Sequence, residues 1–124
     1  MAHPDTGQPY VSRVATVAQQ ANMLMLISTL SIHTKALKTN PNCALLVGEP
    51  GDKGDPLTHP RLTLSGRATL TDKAAQRDAW LAAIPRAKLY FDFADFQMYR
   101  LTPTAIDFNG GFGQAFRLTP ADVS

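Results

Sequence analysis

The chain alternates between short apolar runs and polar breaks, a pattern that predicts five or six short strands and two helices. The run Tyr10–Val17 is rich in β-branched residues, and a polar break separates it from the apolar run Met23–Ser28. β-branched residues favour strands, and the second run is too short for a stable helix. We therefore expect a hairpin of two strands. A third strand, Cys43–Gly48, is apolar throughout, so we expect both of its faces to be covered.

The fourth predicted strand, Arg61–Thr71, alternates regularly between apolar and polar side chains. This alternation is typical of an antiparallel strand with one solvated face. Gly66 interrupts the strand and indicates a bend or the close approach of another backbone segment. Two further strands, Phe96–Leu101 and Thr104–Phe108, are predicted on either side of a Thr-Pro pair, and a glycine-rich tail follows them.

Two helices are predicted between these strands. The first, Leu30–Thr39, contains a serine that can cap its N-terminus and ends before an Asn-Pro pair. The second, Lys73–Ile84, follows Asp72, which can cap it, and stops at Pro85. Because strands and helices do not alternate as βαβ units, the order of elements predicts a small antiparallel barrel and not a Rossmann-type sheet.

The composition narrows the class of protein without identifying a function. Of 124 residues, 44% are hydrophobic and 18% are charged, which is typical of an ordered globular domain. One cysteine excludes an internal disulfide, and with three histidines it gives no basis for a metal site. The net charge of +2 does not indicate a nucleic-acid partner. No apolar run could cross a membrane and no signal peptide is evident, so we expect a cytoplasmic protein.

The segment SIHTKALK, residues 31–38, is the most informative stretch for chemistry. At helical spacing Ser31, Lys35 and Lys38 share a face, while His33 and Thr34 lie in the first turn. The N-terminus of a helix offers unpaired N–H groups and a partial positive charge, which together suit a phosphate. The same residues are also compatible with a solvated surface helix, in which the histidine has only a capping or packing role.

Three further residues are candidates for binding. Arg13, in the first predicted strand, is either an exposed strand arginine or a cation that reaches the same anion. His59 lies in a constrained loop between Thr58 and Pro60, where a structural hydrogen bond is the plainer interpretation. Arg61 opens the fourth strand and can equally be a charge at the rim. No dinucleotide fingerprint, P-loop, HExxH sequence or nucleophile elbow is present, so the sequence identifies no catalytic residue.

Three stretches occur in order and with suitable spacing: ISTLSIHTKALKTNPNCALLVGEPG, GDPLTHPRLTLSGRATL, and LYFDFADFQMYRL followed by GGFGQAFRL. Together they resemble the pyridoxamine 5'-phosphate oxidase-like FMN-binding split barrels, in particular the subgroup related to heme-utilisation proteins. The resemblance implies a mainly β (α+β) fold, a six-stranded antiparallel split β-barrel with two flanking helices, as one domain over residues 1–124. Only five residues precede the matching segment, so we expect the barrel to lack the family's N-terminal helix and strand or the sequence to begin late.

The resemblance also implies a cofactor site and an assembly. Carried over by position, the FMN phosphate would be held by Arg13, Ser28, His33, Thr34 and Lys35. Arg61 falls near the position where the family places a polar side chain against the flavin. The flavin site would lie at the interface of a homodimer, and a looser correspondence brings in three residues of the partner subunit, at positions Phe112, Gln114 and Arg117.

The function that the resemblance implies is that of an FMN-binding protein, a flavin-dependent oxidoreductase of the pyridoxamine 5'-phosphate oxidase-related type. In this interpretation the flavin performs the hydride or electron transfer. The alternative is a non-catalytic module that binds or carries flavin or heme, as in heme utilisation, with heme as the second candidate cofactor. No nicotinamide-binding motif is present, which favours the alternative. The sequence does not specify a substrate or an electron donor.

Overall fold

A computed structural model of the chain describes residues 1–48, 51–111 and 115–122, apart from the side chain of Thr58. The strands are β1 (Ala15–Gln19), β2 (Asn22–Ser28), β3 (Asn42–Val47), β4 (Arg61–Leu70), β5 (Phe96–Asn109) and β6 (Ala115–Leu118). The α-helices are α1 (Ile32–Thr39) and α2 (Arg77–Ala83). Short 3₁₀ helices occupy Pro56–Thr58, Ala74–Gln76, Pro85–Leu89 and Pro120–Asp122.

The six strands form one antiparallel sheet in the order β1-β2-β5-β4-β3, with β6 paired to β5. Strand β5 is the centre of this sheet because it pairs with β2, β4 and β6. The predicted fold class, a six-stranded antiparallel sheet of the split-barrel type with two helices, is confirmed.

The first hairpin forms as predicted, but its first strand is shorter than expected. Strands β1 and β2 pair from Ala15↔Leu26 to Gln19↔Asn22, and the turn between them places Gln20 at φ +53°. Residues 10–14 precede this ladder and have no strand partner within the described chain. The β-branched side chains there favour an extended backbone, but the ladder with β2 begins only at the pair Ala15↔Leu26, and β2 continues for just two residues beyond Leu26.

Strand β5 is continuous over 14 residues, so the prediction of two separate strands is wrong. The register between β4 and β5 shifts between Ser65 and Gly66, opposite Pro103. A proline cannot donate a ladder hydrogen bond, and such an irregularity removes the need for one. A Cβ on Gly66 would lie 2.0 Å from the carbonyl oxygen of Thr102, which confirms the predicted close approach of backbone.

The sheet buries a separate apolar cluster on each face, because successive side chains of a strand point to opposite sides. What we call the Leu101 core consists of Met25, Ile27, Leu37, Leu64, Ala68, Tyr99, Leu101 and Ile106. What we call the Trp80 core consists of Leu24, Leu26, Trp80, Ala87, Phe91 and Met98. Helix α1 contributes Leu37 to the first core, and α2 contributes Trp80 to the second.

The predicted second helix is divided into two pieces. A 3₁₀ turn, Ala74–Gln76, comes first and α2 follows it. Asp72 caps this segment as expected, since its Oδ1 accepts hydrogen bonds from the amides of Ala74 at 3.0 Å and Ala75 at 3.3 Å. In the described part of the chain, no helix is long and apolar enough to span a membrane.

Strand β3 corrects the expectation of a strand covered on both faces. It lies at the end of the sheet order, beyond β4, and its side chains alternate between half-buried and exposed because only one of its faces packs against a core. Cys43 and Leu45 pack against the Leu101 core, whereas Leu46 is 70% exposed. An unbroken apolar run is therefore compatible with an edge strand that packs on one face only.

Candidate cofactor site

A groove of about 760 Å³ lies between the two ends of the sheet. One wall is the segment before β1, and the other is β3 with Gly48 after it. Met25 and Ile27 of β2 also line the groove, as do His33 and Leu37 of α1. This volume is in the range of small-molecule and cofactor sites, which are typically apolar with a few polar groups.

His33 is the polar group that α1 presents to this groove. Its Nδ1 lies 3.0 Å from the hydroxyl oxygen of Ser12, which belongs to the opposite wall. Partial burial lowers the pKa of His33, so the neutral imidazole is favoured at neutral pH. A neutral imidazole whose second nitrogen is held by a hydrogen bond can bind a metal ion or accept a proton.

Ser28 and Thr34 tie the end of β2 to the start of α1. The Ser28 hydroxyl donates to Asp95 Oδ2 at 2.9 Å and accepts the amide of Leu30 at 3.1 Å. The Thr34 hydroxyl donates to the carbonyl oxygen of Ser28, and Thr34 is 0% exposed. Neither residue lines the groove in the described structure, and both side chains have partners within the protein. Their evident effect is to fix the turn that carries His33.

Arg13 and Lys35 are both exposed, but only Arg13 is among the residues that line the groove. Arg13 precedes β1 on the same wall as Ser12. Lys35 lies one turn into α1, where its amide donates to the carbonyl oxygen of Ser31 at 3.3 Å. The structure thus brings Arg13 and His33 to one cavity and places Lys35 on the adjoining helix.

Arg61 lies in a second, smaller cavity of about 350 Å³, apart from the groove. Its Nη1 donates to the carbonyl oxygens of Leu57 at 3.1 Å and His59 at 3.2 Å. Other residues of this cavity include Phe108 and Phe116, whose rings are stacked with centroids 6.2 Å apart, and Arg117, which pairs with Asp107 at 2.8 Å. Positions Phe112 and Gln114 lie outside the described residues.

The sequence analysis missed several residues that line the groove. Among them, polar or polarisable groups belong to Tyr10, Ser12, Thr16 and Cys43. Burial raises the pKa of the Cys43 thiol, an effect that the N-terminal ammonium group partly opposes. The signal that could have found the β3 wall is its edge position, which hydropathy alone does not reveal. The groove as a whole combines apolar walls with one imidazole and one guanidinium, so it can hold an apolar group that also carries a negative charge.

The chain matches a family model described as pyridoxamine 5'-phosphate oxidase over residues 2–110. It is 39% identical over 97 residues to the chloroplastic heme oxygenase HOZ of Arabidopsis thaliana, covering 75% of this chain and 29% of that protein. It is 27% identical over 126 residues to the heme oxygenase HutZ of Vibrio cholerae, covering 94% of this chain and 70% of that protein. The chain therefore spans less than a third of the first relative.

A solved structure of a heme binding protein from Mycobacterium smegmatis superposes with a TM-score of 0.87. The sequence identity is 28%, and the alignment covers 97% of this chain and 51% of that chain. The similarity thus extends over nearly all of the chain and about half of the solved protein.

Proposed function

The chain belongs to the pyridoxamine 5'-phosphate oxidase family, and from this premise we propose that it binds heme in the groove and serves heme utilisation. The observation that carries the proposal is His33, a half-buried imidazole in an otherwise largely apolar cavity. The names of HOZ, HutZ and the mycobacterial protein support it. They favour the heme-binding alternative over the flavin-dependent oxidoreductase.

The residues of the groove fit heme, which combines an apolar plane, an iron that accepts an imidazole nitrogen, and two carboxylates. Val14, Ile27 and Leu45 supply apolar walls that exclude water. His33 would bind the iron, and Arg13 would pair with a carboxylate. Bound heme would supply a redox-active iron. The Ser12 hydroxyl holds the imidazole by its other nitrogen, a contact that fixes ring orientation in metal sites.

FMN is the second candidate, and it is supported by the start of α1. The first amides of that helix, together with Lys35 on the helix and Arg13 nearby, form a cationic region suited to a phosphate. In this arrangement Ser28 and Thr34 position the turn by their internal hydrogen bonds. Arg61 lies in the smaller cavity, so it would reach the flavin only from the partner subunit of a dimer.

We further propose that the protein is a homodimer that completes its site at the interface. Val11 and Leu46, on the two walls of the groove, are 88% and 70% exposed. A second copy that covers them would remove apolar surface from water. The cavity with Arg61 and Arg117 of that copy could then adjoin the groove. Light scattering tests this: a stable monomer that still carries the cofactor would contradict an interface site.

The deciding experiment is a spectroscopic titration of the purified protein with heme and, separately, with FMN. We expect a Soret band that persists through gel filtration. His33→Ala should shift this band and weaken heme binding, whereas His3→Ala should not, because His3 is a histidine outside the groove. A protein that retains flavin but takes up no heme would overturn the heme proposal, and binding of neither would overturn the cofactor site.

One further variant distinguishes FMN binding from heme binding. A charge-assisted phosphate contact is typically worth about 1.5–3 kcal/mol, so Lys35→Ala should weaken FMN binding by roughly 10- to 150-fold if the phosphate lies at α1. Heme carries no phosphate, and its affinity should change little. Unchanged FMN affinity in this variant would show that α1 is not the phosphate site.

A further inference from the structure

Asp95, in the turn that leads into β5, holds the junction between β2 and α1 by two of its groups. Its side-chain Oδ2 accepts a hydrogen bond from the Ser28 hydroxyl at 2.9 Å, and its backbone carbonyl oxygen accepts one from the amide of Thr29 at 2.7 Å. Ser28 pairs with Phe96 in the sheet, so Asp95 lies directly beyond the end of that ladder. The junction is therefore held by a segment 67 residues further along the chain.

Ser28 passes this restraint on to the residues that follow it. While its hydroxyl proton is donated to Asp95, its hydroxyl oxygen accepts the amide of Leu30 at 3.1 Å. A hydroxyl has one proton and rotates to suit its partners, so a fixed acceptor on one side aims its lone pairs at the amide on the other. The carbonyl oxygen of Ser28 accepts from the Ser31 amide at 3.1 Å and from the Thr34 hydroxyl. The side chain and the carbonyl group of Ser28 together order the chain from residue 28 to the first turn of α1.

His33 depends on this junction for its place in the groove. The N-cap residue of α1, Ser31, does not order the start of the helix, since its side chain makes no capping hydrogen bond within the described chain. His33 is the second residue of α1, and its Nδ1 lies 3.0 Å from the Ser12 hydroxyl oxygen on the opposite wall. A hydrogen bond weakens steeply as its length and angle depart from the optimum. A small rotation of the junction would therefore break this contact.

The turn that carries Asp95 is itself held in place. The ammonium group of Lys73 donates to the carbonyl oxygens of Phe93 at 3.0 Å and of Phe96 at 2.8 Å, one on each side of Asp95. The amide of Phe96 also donates to the carbonyl oxygen of Phe93 at 3.1 Å. Hydrogen bonds from an ionised donor are stronger than those between neutral groups. The carboxylate of Asp95 is thus presented to Ser28 from a turn of defined geometry.

We propose that Asp95 is a positioning residue for His33: through the Ser28 hydroxyl it sets the path of the chain into α1 and so the place of the imidazole in the groove. This inference rests on the proposed function, in which His33 binds the heme iron. Removal of a group that orients a metal ligand typically weakens metal binding by roughly 10- to 100-fold. Because Asp95 acts through a second residue, we expect the lower end of this range, about tenfold weaker heme binding, for Asp95→Ala.

The contact between His33 and Ser12 gives a test that needs no cofactor. In nuclear magnetic resonance spectra of the full chain, the Hε1 proton of His33 should show a nuclear Overhauser effect to the β protons of Ser12. Asp95→Ala should remove this signal from a protein that is still folded. Asp95→Asn should retain it, because an amide oxygen can also accept the Ser28 hydroxyl. A signal that is missing from the wild type, or unchanged in Asp95→Ala, would overturn the proposal.

A double-mutant cycle on heme affinity tests whether Asp95 acts through Ser28. Asp95→Ala and Ser28→Ala should each weaken heme binding about tenfold, and the double variant should be no weaker than either, because the first change has already broken the link that the second removes. Losses that multiply to about a hundredfold would indicate independent effects and would overturn the proposal. If Asp95→Ala does not fold, Ser28→Ala decides the question, since it should lose both the Overhauser signal and heme affinity.

Asp92→Ala is the matched control. It removes an aspartate three residues earlier whose carboxylate pairs with Arg77 at 2.9 Å and not with the junction, so the Overhauser signal and the heme affinity should both stay unchanged. The proposed function is judged separately, by heme uptake of the wild-type chain. If the wild type takes up no heme, that function fails, and the Overhauser signal with its loss in Asp95→Ala still shows whether Asp95 positions His33.

Discussion

The two faces of the sheet are covered to different degrees. On one face α2 and the 3₁₀ segment Pro85–Leu89 seal the Trp80 core, in which Trp80, Phe91 and Met98 are at most 1% exposed. On the other face the Leu101 core continues into half-buried residues such as Val14 and Leu45, and these line the groove. The difference shows how one face of a small sheet can be sealed while part of the other stays available for a ligand.

The strongest test of this difference is Trp80→Ala. Truncation of a fully buried aromatic typically costs about 3–5 kcal/mol, so the free energy of unfolding should fall by that amount. The same change at half-buried Leu45, on the groove face, should cost clearly less because less surface is lost. Urea denaturation followed by circular dichroism measures both. Equal losses would mean that Leu45 is as well covered in solution as Trp80.

Trp80→Phe refines the same test. Within the described residues the indole N–H of Trp80 is buried without a hydrogen-bond partner. An unsatisfied buried donor is costly, so phenylalanine removes a penalty along with some packing. We expect Trp80→Phe to lose much less stability than Trp80→Ala. A loss as large as that of alanine would indicate that the indole has a partner in solution.

Gly66, at the register shift between β4 and β5, should be the next most sensitive position. In Gly66→Ala the new methyl would collide with the backbone of Thr102, which cannot turn away as a side chain could. Overpacking typically costs about 1–3 kcal/mol, and a clash with backbone belongs at the upper end. Ser65→Ala, at the neighbouring residue, should change stability by only about 0.5 kcal/mol. Thermal melts of the two variants compare them directly.

The accessibility of the groove can be measured by the reactivity of the Cys43 thiol, which lines it. Burial raises the pKa of its thiol, so less thiolate is present at neutral pH than in the unfolded chain. Iodoacetamide should therefore react more slowly with the folded protein than with protein in urea, and more slowly still after the groove is filled by ligand. Identical rates in the folded and unfolded protein would mean that the Cys43 thiol is as accessible in the fold as in the unfolded chain.

The smallest effect is expected on the surface of the sealed face. Arg77 Nη2 lies 2.9 Å from Asp92 Oδ2, and the hydrogen bond from Arg77 lowers the pKa of Asp92. A carboxyl group with a lowered pKa contributes stability above its unfolded pKa, about 3.9, and loses it as the pH falls further. Asp92→Asn should lower the melting temperature slightly at pH 7 and not at pH 2. A large shift at pH 7 would contradict the solvent-screened character of this pair.

Much of the fold could be predicted because local signals and the final structure agree. The alternation in β4 predicted the strand, and the glycine within it indicated a bend or the close approach of another backbone segment, which in the structure is that of Thr102. The Asn-Pro pair after α1 ended that helix as expected. For the strand and the helix end, the deciding interaction lies within a few residues of the signal, whereas the glycine reports a distant segment through its own missing side chain.

The predictions that failed depend on partners distant in sequence. Pro103 suggested a break in β5, but the register shift beside it, at which Thr104 has no partner in β4, lets the strand continue. The apolar run of β3 suggested burial on both faces, but the strand order places it at the edge. Arg61, which the resemblance groups with Arg13 at one cofactor site, lines a different cavity of the single chain, so its place at that site stays a prediction.

The central position of β5 has a consequence for synthesis of the chain. Strand β2 pairs with β5, and β4 also pairs with β5, so both halves of the sheet need residues 96–109. Until those residues leave the ribosome, the apolar run Met23–Ile27 has only the short strand β1 as a partner. Nascent chains that pause before residue 96 therefore expose an unfinished sheet edge, the form in which aggregation begins and chaperones are most useful.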